Sequence, residues 1–259
     1  PLTGHRRARN LWPENSLTGF RNVLALDVDA IEFDVHLSDA GELLVIHDAT
    51  LDRTTDATGP VRALSPERRA AVRLKDCDET VPTLADVLAV LAPSRRYLHV
   101  EIKSDPDGKP YPGIAERIVA ELDRADVRTR CHLTSFDVSV LEECRSFAPD
   151  IPRLVSVNAA WAERQGGLEA FLNRVDGLVD IVAIHHELMA EQWELIAGKV
   201  ALHRLCVWTL NEETSIRAWL ERGVGHLTTD SPDLALTLRA EIAAACLAPP
   251  RRHDMTNLP

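Results

Sequence analysis

The sequence predicts an α/β fold closed as a (β/α)8 barrel, and three observations carry that expectation. Short apolar, β-rich runs alternate with amphipathic Ala/Leu/Glu/Arg-rich runs through most of the 259 residues, and strands separated by helices of this length pair in parallel. With residues 36–82 set aside, eight strand–helix pairs can be counted, the number that closes a barrel of about 250 residues. No glycine-rich turn follows the first strand, so an open doubly wound sheet is the weaker alternative.

The elements follow in order. A first short run ends at His5, and "NSLTGFRNVLALD" reads as a helix capped by Asn15 or Ser16. "AIEFDV" is a strand. Residues 36–82 break the rhythm with a hairpin around "SDAGE", the loop "DATLDRTTDATG" and a short helix from Ser65. The alternation then resumes with helix "TLADVLAVLA", strand "YLHVEIK", helix "IAERIVAELDR", strand "CHLTSF", helix "VSVLEECRSF" and strand "IPRLVSV". A helix near 161–176, strand "DIVAIH", helix "MAEQWELIAG", strand "LHRLCVWTL", helix "EETSIRAWLER", strand "HLTTD" and helix "PDLALTLRAEIAAACL" complete the set. The expected organisation is one barrel domain over 1–248 with an insertion at about 36–82, and a tail at 249–259 that reads as a frayed terminus.

Composition narrows the function. Apolar residues make up 45% of the chain, enough for a sizeable core. Forty acidic against 29 basic residues give a net charge of −11, which argues against coating nucleic acid but leaves room for a small anionic substrate in a locally positive site. The five cysteines are scattered without a CxxC. They read as free buried thiols of a reducing, cytoplasmic compartment. The first residues lack an apolar signal core and no run reaches membrane-spanning length, so no membrane insertion is expected. Composition leaves homo-oligomerisation open.

Chemistry gathers at the strand ends. Side chains alternate faces along a strand, so in "AIEFDV" Ile31, Phe33 and Val35 face the helices while Glu32 and Asp34 face the barrel interior. In "YLHVEIK", Leu98, Val100 and Ile102 face out while His99, Glu101 and Lys103 face in. Asp34, Glu101 and Lys103 lie near the C-terminal ends of their strands, where barrels carry their active sites, and Glu32 lies one layer below. Three crowded carboxylates repel unless a cation neutralises them, and hard oxygen donors suit one divalent ion, Mg²⁺ or Ca²⁺. The competing explanation is an ion pair of one acid with Lys103 or Arg6; three inward acids from two strands favour the metal. His47 closes the segment after the hairpin and His5 closes the first strand. Two imidazoles beside a metal can divide acid and base work near neutral pH. Arg6 and Lys103 supply donors suited to phosphate oxygens.

These motifs in this order, "HRR", "PENS", "IEFDVHLSDAGELLVIHD", "LDRTT", "VEIK", "VWTLN" and "LTTDSPD", resemble the glycerophosphodiester phosphodiesterases from His5 to about Pro232. The resemblance implies a TIM barrel with a small insertion after the second strand, matching residues 36–82. It implies metal-dependent hydrolysis of glycerophosphodiesters to glycerol 3-phosphate and an alcohol. Carried over by position, it makes His5 and His47 the acid/base pair, Arg6 and Lys103 the phosphate holders, Glu32, Asp34 and Glu101 the metal ligands, and Trp208 an aromatic bordering the substrate. Position 7 departs from the family pattern: Arg7 stands where the family has glycine, adding bulk and charge where the backbone turns. Rival functions are hydrolysis of another phosphodiester such as a sugar phosphodiester, a barrel lyase that stops at a cyclic phosphate, and non-catalytic phosphodiester binding.

Remaining candidates have blander readings. Glu14 and Asn15 serve a helix cap, contact the first-loop backbone or belong to the metal's outer shell. Asp48 orients His47 or caps its loop. "DRTT" and "TTDSP" are structural, the latter as a cap at Asp230 or Ser231 with Pro232 in the first turn. His185 and His186 end a strand without an assigned role, His99 is a hydrogen-bonded core residue, and Trp161 and Trp193 are packing residues.

Overall fold

The computed structural model describes residues 1–5 and 10–247, with side chains through 245. Arg6 and Arg7 and the expected frayed tail lie outside the described residues. Nine strands are described: β1 Leu2–Gly4, β2 Ala30–Leu37, β3 Leu43–Val45, β4 Tyr97–Ile102, β5 Cys131–Ser135, β6 Arg153–Val157, β7 Ile181–His185, β8 Leu205–Trp208 and β9 His226–Thr229. All but β3 pair in parallel, in the order β1-β9-β8-β7-β6-β5-β4-β2, and the β1–β2 pairing closes the cylinder. β3 adds antiparallel to the upper half of β2, with Val35 opposite Val45 and Leu37 opposite Leu43.

The alternation read from the sequence sets the layers. Ile31, Phe33, Val35, Leu98, Val100 and Ile102 are buried in the main core between sheet and helices. Phe33 meets Phe20 of the first helix, Leu17–Val23, edge to face at 5.7 Å, a favoured aromatic geometry. Helix starts follow local capping rules. The Ser16 hydroxyl accepts the Gly19 N–H at 3.1 Å. Thr83 and Asp86 form a reciprocal capping box at the head of Leu84–Leu91. Asp137 and Asn158 cap the helices that begin at Val138 and Ala159.

Two expected helices are each split. The segment near 161–176 forms Ala159–Arg164 and Leu168–Val175, because Gly166 and Gly167 between them both take positive φ (88° and 99°), which ends a right-handed helix. The segment at 189–198 forms His186–Glu191 and Trp193–Lys199, broken where Gln192 leaves helical geometry at φ −114°, ψ 30°.

Residues 36–82 build a unit with a small core of their own: Leu44, Ile46, Leu51, Val61, Leu64, Val72, Leu74 and Val81. Strand parity explains how it attaches. Leu43 and Val45 face the main core, while Leu44 and Ile46 face the insertion's core. The hairpin turn expected at "SDAGE" is closed by the Ser38 N–H donating to the Glu42 carbonyl at 2.9 Å, with Gly41 at φ 87°. The helix expected from Ser65 is Pro66–Ala71, capped by that serine.

Candidate active site

Parallel register assembles the acid layer. Asp34 stands beside Glu101, and Glu32 beside His99 one layer down. Glu32, Asp34 and Glu101 each offer a carboxylate oxygen, all within 4.8 Å of one another. Asp34 is 1% exposed and Glu32 7%. Lys103 Nζ lies 2.7 Å from Glu101 Oε1 and 3.4 Å from Asp34 Oδ1. The ion pair with Lys103 weighed from the sequence therefore exists beside the three acids. The donor set fits a hard divalent cation: oxygen only, strongly negative and half-enclosed at the barrel mouth.

Both histidines expected at this mouth line the same cavity as Glu32 and Glu101. His5 Nδ1 lies 2.7 Å from Asp230 Oδ1, and its Nε2 lies 3.7 Å from Glu32 Oε2. Asp230 is wholly buried and gripped by Asn211, whose Nδ2 donates to Asp230 Oδ2 at 2.9 Å while its Oδ1 accepts the Asp230 N–H at 2.9 Å. A carboxylate accepts only, so His5 Nδ1 carries a proton toward Asp230 and the basic lone pair of the neutral ring sits on Nε2, near the acids. The cap was expected at Asp230 or Ser231; Ser231 directly precedes the helix Pro232–Leu247, and the Asp230 carboxylate holds His5.

His47 repeats this geometry in the same cavity. Its Nδ1 lies 2.6 Å from Asp48 Oδ1. Asp48 is bound by Arg53 through Nε at 2.6 Å and Nη2 at 3.0 Å, and the same guanidinium grips both oxygens of Glu14 at 2.9 and 3.0 Å. The bond from His47, reinforced by Arg53, holds the Asp48 carboxyl well below the usual carboxylate range. Of the two roles considered for Asp48, it takes the orienting one. Glu14 and Arg53, the latter from the "DRTT" stretch assigned to structure alone, anchor it.

The backbone of His47 is held by a residue the sequence reading did not single out. His36, 1% exposed, places Nε2 at 3.1 Å from the His47 carbonyl and Nδ1 at 3.0 Å from the Tyr111 hydroxyl. Burial pushes the His36 imidazole down to about 4, so it is neutral. Desolvation also raises Tyr111, to about 12.

Across the mouth from the acids the wall is aromatic. Trp208 meets Phe136 at 5.6 Å and His185 at 5.1 Å, both edge to face, and Phe136 meets Trp161 at 6.2 Å. Trp208 lines the cavity, and Trp161, assigned to packing, packs against Phe136 of that wall. His185 and His186 stack on each other at 4.5 Å beside Trp208 rather than among the cavity-lining residues. Trp193 packs with Trp219 beneath Arg222, away from the mouth.

The cavity, of about 80 Å³, runs down into the barrel between small side chains: Thr134, Ser156, Ala183, Cys206 and Thr228. A single water needs roughly 10–15 Å³ on this measure, so the cavity has room for several waters where branched apolar residues usually fill a barrel. Thr134 Oγ1 and Trp208 Nε1 are buried there without a hydrogen-bond partner among the described residues. His99 lines the floor; it packs edge-on to His132 at 4.9 Å, and no hydrogen bond ties its ring among the described residues, contrary to expectation.

Comparison with known proteins places this site. The glycerophosphoryl diester phosphodiesterase family model matches residues 5–234. The chain is 27% identical over 244 residues to a glycerophosphodiester phosphodiesterase from Caldanaerobacter subterraneus subsp. tengcongensis, covering 92% of this chain and 96% of that protein. A crystal structure from Agrobacterium tumefaciens, described as a candidate glycerophosphoryl diester phosphodiesterase, superposes with a TM-score of 0.85 at 25% identity over 94% of this chain and 98% of that one. An Oleispira antarctica phosphodiesterase in complex with sn-glycerol-3-phosphate shares the fold at a TM-score of 0.74 and 21% identity, covering 92% and 95% of the two chains. No helix among the described residues is long and apolar enough to cross a membrane, and the four described cysteines are free. Matched across nearly its whole length, the chain belongs to the glycerophosphoryl diester phosphodiesterase family.

Proposed function

We propose that this chain hydrolyses glycerophosphodiesters to glycerol 3-phosphate and an alcohol by proton transfer between His5 and His47, over a divalent cation held by Glu32, Asp34 and Glu101. The observation that carries this reading is the paired design of the histidines. Each commits Nδ1 to a carboxylate, Asp230 or Asp48, and both rings line one cavity with the acids. Such backing fixes the tautomer and stabilises the imidazolium formed when Nε2 takes a proton.

Within this reading, one histidine removes the proton of the attacking hydroxyl and the other protonates the departing alcohol oxygen. Lys103 neutralises part of the phosphate charge from its place beside Glu101 and Asp34. Mg²⁺ or Ca²⁺ at the three acids supplies electrostatic stabilisation of the phosphate oxygens. The polyol end seats on the neutral floor, where Thr134 Oγ1 and Trp208 Nε1 offer hydrogen bonds. The other alcohol points to the open mouth against Phe136 and Trp208.

The test is release of glycerol 3-phosphate from glycerophosphocholine with added Mg²⁺ or Ca²⁺, with and without chelator, for the native chain, His5→Ala and His47→Ala. Activity should vanish with chelator and fall at least about 10³-fold in each variant, within the range that general acid–base catalysis contributes. Near-native rates in both variants would remove the histidines from the mechanism. Phosphorus NMR during turnover reports whether the attacking hydroxyl is water or the neighbouring glycerol hydroxyl, the latter leaving a transient cyclic phosphate.

A further inference from the structure

We propose that His36 and Tyr111 form a positioning pair that sets the distance between the His47 imidazole and the acid cluster. The proposal rests on the reading of His47 as a proton-transfer residue. Neither residue touches the cavity, so both act through His47.

The bonding pattern assigns every proton. A carbonyl oxygen accepts only, so His36 Nε2 donates to the His47 carbonyl at 3.1 Å. With that proton on Nε2, the lone pair of the ring lies on Nδ1 and accepts from the Tyr111 O–H at 3.0 Å. Tyr111 thus locks the one tautomer in which His36 can hold His47. The reverse tautomer would set a ring lone pair against the carbonyl lone pairs. Ring packing reinforces the lock, since His36 and Tyr111 meet edge to face at 5.8 Å and 83°.

Topology explains why the brace matters. β2 carries Glu32, Asp34 and His36 on one face, at successive alternate positions. His47 lies beyond the end of β3, in a segment without regular structure. Its chain is tied back to β2 at two points: the Ile46 N–H donates to the Asp34 carbonyl at 3.2 Å, and His36 grips the carbonyl of His47. One strand therefore holds the metal-type acids and fixes the backbone of the imidazole that works beside them. Tyr111 reaches in from the loop after β4, which also carries Lys103, so the brace ties three parts of the mouth together. Misplacement of a reacting group by about 1 Å can cost about 10²-fold in rate.

The experiment measures kcat and KM on glycerophosphocholine at saturating Mg²⁺ or Ca²⁺, with circular dichroism to check folding. In His36→Phe, kcat should fall about 10²-fold while KM stays within about threefold, since substrate contacts are untouched. His36→Gln keeps an N–H at the reach of Nε2 and should recover at least about tenfold of that loss, which a merely structural histidine would not do. Tyr111→Phe removes one hydroxyl and should lower kcat about 3–10-fold, the worth of one neutral hydrogen bond. His36→Phe added to His47→Ala should cost nothing further, because the brace acts only through that imidazole. Native kcat in folded His36→Phe or in Tyr111→Phe, or a further loss in the double variant, overturns the proposal. If His36→Phe does not fold, Tyr111→Phe decides alone. Should His47→Ala itself remain active, the underlying reading fails, an outcome separate from the brace.

Discussion

Replacing Asp230 by asparagine tests the site at one atom. In the native chain Asp230 Oδ2 accepts from Asn211 Nδ2, and Oδ1 accepts from His5 Nδ1. An asparagine at 230 must present one oxygen and one NH₂. Asn211 still offers a donor, so the oxygen of the new side chain turns to Asn211 and its NH₂ turns to His5. His5 Nδ1 must then accept, and the proton moves to Nε2, the nitrogen proposed to act as base. The opposite rotamer sets two NH₂ groups against each other in a wholly buried place. Restoring the working tautomer costs an unpaired buried donor, about 1–3 kcal/mol, and the charge-assisted bond to imidazolium, about 1.5–3 kcal/mol, is lost in either case. Together about 2.5–6 kcal/mol correspond to roughly 10²–10⁴ in kcat at about 1.4 kcal/mol per decade. The assay is glycerol 3-phosphate release, followed alongside thermal melting. A melting point within a few degrees of native and a kcat down at least about 10²-fold are expected. An Asp230→Asn variant that folds and turns over within threefold of native would refute the orienting role of Asp230 and return it to helix capping.

Three further outcomes follow from the same geometry. Arg53→Ala removes the group that joins Asp48 to Glu14; kcat should fall about tenfold with little change in melting temperature, since surface ion pairs contribute about 0–1 kcal/mol. Thr134→Val removes a buried, unpartnered hydroxyl from the cavity floor. It should raise KM for glycerophosphodiesters about 2–10-fold, the worth of one hydrogen bond, and leave bis(p-nitrophenyl) phosphate, which has no polyol, unaffected. Burial lowers His226 from 6.5 to about 4 and lowers His132 as well. The unfolded chain then binds more protons below pH 6.5, so stability is full above that pH and declines as pH falls toward about 4. His226 accounts for at most about 3 kcal/mol of that loss, and less where its partly exposed ring is screened. Denaturant melts at pH 7.5 and 4.5 should show the decline in the native chain and a smaller one in His226→Gln; equal declines would remove His226 from the acid response.

Some of this site was legible because strand parity writes it into short stretches. Glu32, Asp34 and Glu101 declare themselves as charges at alternate positions among apolar residues, and parity is a local property that burial enforces on both faces at once. The barrel followed from counting, and the insertion was the place where counting failed. The partners of the Asp230 carboxylate were hidden for an equally physical reason. An acid before Ser-Pro at a helix start satisfies a capping rule over four residues, whereas its actual partners are His5, 225 positions away, and Asn211. His36 was invisible in the same sense: parity puts it on the face of Asp34, but its value depends on Tyr111, 75 residues on. Arg53 sits in a stretch whose composition suggests only a turn. The Gly166–Gly167 pair could have been read as a helix break, since two successive glycines favour one. Gln192 carried no such signal.

The interior of the barrel is divided in a way that bears on how a phosphodiester enters it. Inward positions on β6, β7 and β8 are small or apolar: Leu154, Ile181, Ala183 and Cys206 form a cluster of their own beneath Trp208. Inward positions on β2, β4, β5 and β9 are polar, with acids at the mouth and His99, His132 and His226 toward the other end. Burial lowers all three histidines, and neighbouring histidines lower His99 and His226 further, so they add no positive charge beneath the acids. A phosphodiester bound as proposed would need a cation among the acids to hold its phosphate at their level, and would meet only uncharged hydroxyl and imidazole groups below it. Its second alcohol would then lie at the open end, beside Phe136 and Trp208.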